Sequence, residues 1–377
     1  MSYLKGKKRA ALRSIIFLSA IILVFTVADL FNEERFFSES ENRILAEKPE
    51  LSKEALLSGK YMEDYESYLN DQFVSRDIWI RLKTGMDMLL QKKLINGVYL
   101  AADDYLIEQH TEADFKEELV EKRLGQLKKL VEKFPATEVM LVPTADNILS
   151  EKLPSFAPYY DDRLLLERVT ETVGEKHVIN VYDILKAHAD EEIYYRTDHH
   201  WTSLGAMYGY RAWVLENGKD DAIRYQKDDL LAVTEEFEGT LQAKLNMPVE
   251  SEEIKIFPQT LEKPVSITYD FVKKSDSFYE ESYLETKDKY SYFIDGNHGF
   301  TEIETEADNG RELFIIKDSY ANTFIPLIAH HYSKVYVLDL RYFNGSLFPF
   351  MEQYDKGDME VLVLYNCAHF VSDFQYY

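Results

Sequence analysis

The chain has 377 residues, 46% hydrophobic and 29% charged, with a formal net charge of −24. That composition suits a globular chain able to bury one large core or two modest ones, and it excludes extended disorder. The acidity argues against a nucleic-acid partner, because the chain offers no basic surface to displace phosphate counterions; excess Asp and Glu otherwise form a solvated surface.

The N-terminus runs the other way. Lys5, Lys7, Lys8, Arg9 and Arg13 precede an uncharged stretch from Ser14 to Ala28 that closes on Asp29. A basic flank stays cytoplasmic, so residues 1–30 are expected to form a membrane anchor or signal, with everything after Leu30 outside. Thr26-Val27-Ala28 is a poor small-x-small cleavage site, which favours an uncleaved single-pass anchor over a cleaved signal. The single cysteine, Cys367, excludes an intramolecular disulfide, as in bacteria whose exported proteins fold without them. Following Val361–Tyr365, it is expected as a packed core thiol.

Residues 31–60 are polar, carry acidic pairs and Pro49, and are expected to be a tether. From Tyr61 to Gln91 apolar residues recur at helical spacing, which predicts helices packed on a main domain spanning 61–377. Residues 97–107 predict a small hairpin with an acidic turn. An alternation follows. Helices are expected over 115–134, 161–176, 203–215, 320–331 and 347–354, and strands over 138–143, 177–182, 312–317, 334–340 and 359–365. Short apolar strands alternating with helices predict an α/β layer built on a parallel sheet, with reactive groups at the carboxyl ends of the strands. Residues of about 219–310 interrupt the pattern. Acidic and rich in tyrosine (Tyr225, Tyr269, Tyr279, Tyr283, Tyr290, Tyr292), they are expected to form an inserted β-rich subdomain or lid. Its rings either pack a small core of their own or stack on sugar rings.

Two stretches carry chemistry. Thr197-Asp198-His199-His200-Trp201-Thr202 sets a carboxylate beside two imidazoles, and Leu313–Lys317 ends abruptly in Asp318-Ser319-Tyr320. A serine hydroxyl needs an adjacent base that a third group orients. Ser319 is the candidate nucleophile, His200 the base and Asp198 its orienting carboxylate. A spacing of two puts Asp198 and His200 on one face of an extended segment and turns His199 away; His199 as the base is the rival assignment. Adjacent histidines on such a segment diverge and no companion Cys/His cluster accompanies them, so no metal or other cofactor is expected. Either Asp318 or Ser319 could cap the helix that follows, and that helix terminus would offer N–H groups to an oxyanion. Asn366 is a candidate oxyanion donor or an ordinary loop residue, and Arg341 and Tyr342 bind substrate or only pack. Asn297 and His298 are turn residues; His330 and His331 sit near a helix C-terminus.

The Asp198-His199-His200-Trp201 run resembles the defining motif of the bacterial DHHW family. The wider arrangement resembles the alginate O-acetyltransferase group of SGNH-hydrolase-like proteins. That group has an N-terminal anchor, an Asn-Arg-x-Leu start (here Asn42-Arg43-Ile44-Leu45), an Asp-x-His motif and a later strand ending in serine. The resemblance implies an SGNH-hydrolase-like α/β fold, with Asp198 and His200 as the dyad, Ser319 as the nucleophile and Asn366 at the oxyanion. Here Lys317 stands where a Gly-Asp-Ser block carries glycine, and Arg341-Tyr342 where a second oxyanion glycine is usual. His199 and Trp201, inside the motif, join Asn366, Arg341 and Tyr342 as oxyanion or substrate contacts. The expected function is transfer of an acyl group, acetyl foremost, to hydroxyls of an exported or cell-surface polysaccharide. A multispanning membrane acyltransferase would supply the acetyl group, since acetyl-CoA is absent outside the cell. An esterase with the same triad and a non-catalytic polysaccharide-binding protein are the alternatives.

Overall fold

The computed structural model describes residues 2–38, 43–216, 218, 222–357 and 359–376. Asn42 of the Asn-Arg-x-Leu segment and residues 219–221 at the start of the expected insert lie outside the described residues. The chain divides into two compact units, one of Met1–Gln91 with Leu245–Met247, the other of Lys92–Lys244 with Pro248–Tyr377.

In the first unit, helix α1 (Ser2–Leu30) contains Ala11–Asp29, 19 residues of mean hydropathy 2.3 with none of that stretch buried. Among the described residues this is the one helix long and apolar enough to cross a membrane. The expected tether holds a helix of its own, α2 (Lys53–Ser58). Ser52 starts it by accepting from Ala55 N, and Gly59 ends it at φ +81°, a left-handed conformation that glycine adopts without strain. Helices α3 (Lys60–Gln72) and α4 (Arg76–Leu89) occupy the stretch with helical periodicity. Phe25 of α1 packs on Phe73 and Trp79, at ring separations of 5.9 and 5.5 Å.

The second unit is built on a seven-stranded sheet. In chain order its strands are β1 (Thr137–Val142), β2 (Val265–Tyr269), β3 (Lys273–Ser275), β4 (Phe300–Thr305), β5 (Glu312–Lys317), β6 (Lys334–Asp339) and β7 (Glu360–Asn366). Their spatial order is β3-β2-β4-β6-β5-β7-β1. The half formed by β6, β5, β7 and β1 is parallel, whereas β4, β2 and β3 extend it antiparallel. The 219–310 segment thus lays three strands on the sheet itself, while Leu231–Phe237 and Glu252–Ile256 pair separately. The expected strand at 177–182 reduces to one bridge between Val139 and Val178. Asn180 Oδ1 accepts from Tyr182 N at 2.9 Å, and this side-chain bond turns the backbone into a helix at Tyr182.

Alternation along the strands feeds two cores. Met140, Val142, Leu313, Ile315, Val335, Val337, Leu362 and Leu364 face one side with helices α7 (Ser203–Glu216) and α8 (Ala321–Ile328). Val139, Leu141, Phe314, Ile316, Leu338, Val361 and Val363 face the other. There they meet α5 (Glu117–Lys133), α6 (Asp162–Val173) and α9 (Cys367–Asp373). Strands buried on both faces read as continuous apolar runs, which is why β5 and β7 were legible. Truncating any of these buried aliphatics to alanine costs about 2–5 kcal/mol. Cys367 is fully buried in the second core, where burial pushes its thiol well above the usual range. The parallel strands end together at Val142, Lys317, Asp339 and Asn366, which brings their following residues to one edge.

Candidate active site

Residues 194–202 form a closed loop, which corrects the expectation of an extended segment. Tyr194 and Trp201 make an isolated antiparallel bridge, and Tyr195 N donates to His200 O at 3.1 Å. Within the loop Asp198 Oδ1 accepts from His200 N at 2.9 Å and from His200 Nδ1 at 2.6 Å. An Asp bonding the backbone two residues on is an Asx-type turn, so a turn pairs the carboxylate with the imidazole. Oδ2 accepts from Thr240 N and Thr240 Oγ1 at 2.8 and 2.9 Å. Gly239 makes that approach possible: a Cβ there would stand 2.2 Å from Asp198 Cβ. Glu252 fastens the other side of the loop, accepting from Arg196 N, Thr197 N and Thr197 Oγ1.

Opposite the loop, β5 ends at Lys317 and the chain turns through Asp318 and Ser319 into α8. His200 Nε2 lies 2.7 Å from Ser319 Oγ, so the three expected residues form one hydrogen-bonded line. All three are buried: Asp198 is 2% exposed, His200 4% and Ser319 6%. Burial disfavours a charge on Asp198, but His199 and His200 with the Thr240 amide outweigh it and hold the carboxyl well below its usual range. An ionised Asp198 accepts from Nδ1–H and leaves the lone pair of Nε2 for the Ser319 hydroxyl. Tyr290 stacks flat on His200, with centroids 3.7 Å apart and planes 8° apart, and its hydroxyl donates to Ser319 O at 3.1 Å. Asp318 Oδ1 accepts from Tyr320 N at 2.9 Å, a turn bond ahead of α8; the cap position of that helix is Tyr320, with no side-chain bond, which corrects the expectation that Asp318 or Ser319 caps it. The Ser319 N–H has no partner among the described residues.

The remaining expected residues fare differently. His199 does not turn away. Its ring lies against His200 at 3.9 Å and Nδ1 sits 2.8 Å from Thr240 Oγ1, while Ser319 is bonded to His200. Burial and the neighbouring His200 push His199 down to about 3. Trp201 is 0% exposed, so as a substrate contact it is corrected to a packing residue. Its Nε1 donates to Tyr320 O at 2.8 Å, and Gly209 makes room for its ring. Asn366 caps α9, its Oδ1 accepting from Ala368 N, and its Nδ2 donates to Val142 O at 3.2 Å; among the described residues one amide hydrogen is left over. Arg341 forks onto Asp339 through Nε and Nη2 at 2.9 and 2.6 Å, while Tyr342 is 54% exposed; neither bonds the Ser319–His200–Asp198 line. Lys317 is buried, bonds Asn297 and Asn322, and is pulled down to about 8 by burial. Asn297 is thereby more than a turn residue.

Four neighbours escaped the sequence: Thr240, Glu252, Tyr290 and His369. His369 Nδ1 lies 2.9 Å from Asp318 Oδ2, next to the serine. No spacing announces any of them, since they stand 42 or more positions from their partners in the chain or, like Tyr290, are one of many tyrosines. Asp198, His199 and His200 offer ligand atoms within 4.8 Å of one another. Both Asp198 oxygens, both His200 nitrogens and His199 Nδ1 are nevertheless engaged in hydrogen bonds, a donor set suited to proton handling more than to a cation.

The family model described as DHHW protein matches residues 139–338. A DHHW family protein from Eubacterium siraeum superposes with a TM-score of 0.60 at 23% identity, covering 74% of this chain and 95% of that one. Bacillus cereus PatB1 gives 0.58 at 20% identity, covering 73% and 98%; the same protein with a sulfonyl adduct gives 0.57 at 19%. The O-acetyltransferase domain of Pseudomonas putida AlgJ gives 0.44 at 14%, covering 73% and 92%. Comparison with curated proteins returns no match. The first two likenesses show that the α/β fold of the second unit is one already seen in solved proteins.

Proposed function

The chain belongs to the DHHW family, and from that premise we propose that it is an extracytoplasmic, membrane-anchored serine O-acyltransferase of SGNH-hydrolase-like design. Its acceptor would be a hydroxyl of a cell-surface or exported polysaccharide, and its acyl group acetyl. The observation that carries this is the Ser319 Oγ–His200 Nε2 hydrogen bond of 2.7 Å, with Asp198 at 2.6 Å behind the imidazole.

In this mechanism Ser319 Oγ attacks the carbonyl of an acetyl donor while His200 Nε2 takes its proton and Asp198 stabilises the imidazolium. His200 then returns the proton to the leaving group, and the acetyl rests on Ser319 as an ester. An acceptor hydroxyl next attacks that ester, gives its proton to His200, and departs acetylated as Ser319 Oγ is reprotonated. The Ser319 N–H and the spare Asn366 amide hydrogen are the oxyanion donors in this scheme. The donor would be a multispanning membrane acyltransferase beside the α1 anchor. Proteins with this fold include one that carries a sulfonyl adduct, the product expected when a sulfonylating reagent meets an activated nucleophile.

The test treats the full-length protein in detergent with p-nitrophenyl acetate and, separately, with a sulfonyl fluoride, followed by intact mass and peptide mapping. Both adducts should fall on Ser319 and vanish in Ser319→Ala and His200→Ala. Absence of adduct and of ester turnover would overturn the assignment. Release of free acetate despite an added oligosaccharide would favour an esterase.

A further inference from the structure

Asp198–His200 is not the only carboxylate–imidazole pair beside Ser319. Asp318, the residue before the serine, lies fully buried at the end of β5, and its Oδ2 faces His369 Nδ1 from α9 at 2.9 Å. The same oxygen accepts from Asn366 N at 2.8 Å, and Oδ1 from Tyr320 N at 2.9 Å. So many donors oppose the effect of burial and keep this carboxyl below the usual range. Asp318 accepts the Nδ1 hydrogen of His369, and in the tautomer so held the ring's lone pair lies at Nε2.

That nitrogen has no hydrogen-bond partner among the described residues. The His369 side chain is 25% exposed and that of His199 21%, against 5% for His200. The rings of His199 and His369 meet edge to face at 5.6 Å, and His199 leans on His200 at 3.9 Å. His369 and His199 are thus the more exposed imidazoles of this cluster, and the His200–Ser319 pair is the more buried. His200 already serves the serine, which leaves His369 without a part in acylation.

We propose that His369, held by Asp318, is an acceptor-binding residue whose Nε2 takes a hydrogen bond from a hydroxyl vicinal to the attacking one on a polyol or sugar. The chemistry selects this ligand. A lone pair fixed at Nε2 needs a donor, and an acetyl ester has none, whereas every carbon of a sugar ring that carries a hydroxyl offers one. The inference rests on the acyltransferase proposal and deepens it.

Asparagine and glutamine separate the two nitrogens of this ring. Asn reproduces Nδ1–H and can keep the bond to Asp318 while removing Nε2; Gln reaches the Nε2 position with its carbonyl and releases Asp318. Full-length protein in detergent would be acetylated with p-nitrophenyl acetate, and transfer to cellopentaose followed by mass spectrometry alongside the acylation burst. For His369→Asn, burst acylation stays within about twofold of the unaltered protein. Transfer falls about tenfold in kcat/KM for cellopentaose, the effect of one lost hydrogen bond, and His369→Gln recovers part of it. Equal transfer by His369→Asn and the unaltered protein would overturn the inference. An equal loss of burst and transfer would also overturn it, since His369 would then act only through Asp318. An unaltered protein that forms no acetyl-Ser319 would bring down the acyltransferase proposal itself, and this inference with it.

Discussion

Replacing Asp198 with Asn tests whether its carboxylate sets the protonation of His200. Four donors converge on it: His200 N, His200 Nδ1, Thr240 N and Thr240 Oγ1, all between 2.6 and 2.9 Å. An amide of the same shape keeps one acceptor and turns the other corner into a donor. With its oxygen towards Thr240, the NH2 faces His200 Nδ1, which must then give up its hydrogen. The imidazole carries it on Nε2 instead, aimed at Ser319, and no base remains. With its oxygen towards His200, the tautomer survives, but the negative charge that steadies the imidazolium is gone. Either way a backbone N–H faces an NH2 in a buried site, at a cost of about 1–3 kcal/mol in stability. Acylation should fall on the order of 10³–10⁴-fold. The assay is the nitrophenolate burst of full-length protein with p-nitrophenyl acetate, with a thermal melt to show that the fold persists. A folded Asp198→Asn protein acylated within about tenfold of the unaltered rate would refute the role given to Asp198.

Gly239→Ala should be as damaging to acylation as it is small in volume, because the added Cβ would lie 2.2 Å from Asp198 Cβ and must displace the carboxylate; a burst at more than about a tenth of the unaltered rate would contradict this. Glu252→Gln puts an NH2 among three donors from Arg196 and Thr197, so a melting experiment should record a loss of about 1–3 kcal/mol. Asp162 is buried beside Asp146 and pushed up to about 7, first by burial and then by that neighbouring charge. A raised acid binds its proton more tightly in the folded state, so its stabilisation is complete below the usual carboxylate range and is lost as pH rises through about 7. Both bonds from Thr144 fall on Oδ2 at 2.7 and 2.8 Å, and Oδ1 has no partner among the described residues, so Asn can keep the contacts without the charge. Asp162→Asn should therefore gain about 1–3 kcal/mol over the unaltered protein at pH 8 and less at pH 5. Denaturant titrations at the two pH values check it, and an equal or reversed difference would refute the argument.

Much of this protein was legible from local chemistry. Apolar runs at 312–317 and 359–365 announced strands buried on both faces, because a parallel strand between two helical layers needs no polar face. The uncharged run behind Arg13 announced an apolar helix, and Asp198-His200 and Asp318-Ser319 announced a place where an acid, a base and a hydroxyl could meet. Patterns of period two and 3.6 report which face is buried, and they are fixed within a dozen residues. The tertiary structure decided what lies further apart. It brought Thr240 and Glu252 onto the Asp198 loop, laid Tyr290 on His200, and set His369 on Asp318 across 51 positions. It also turned the expected extended segment into an Asx-type turn and buried Trp201, since a bridge between Tyr194 and Trp201 closes that loop. Hydrogen-bond partners of this kind are chosen by strand order and loop closure. Neither leaves a period in the sequence, so the line of three residues could be anticipated while the groups that hold it could not.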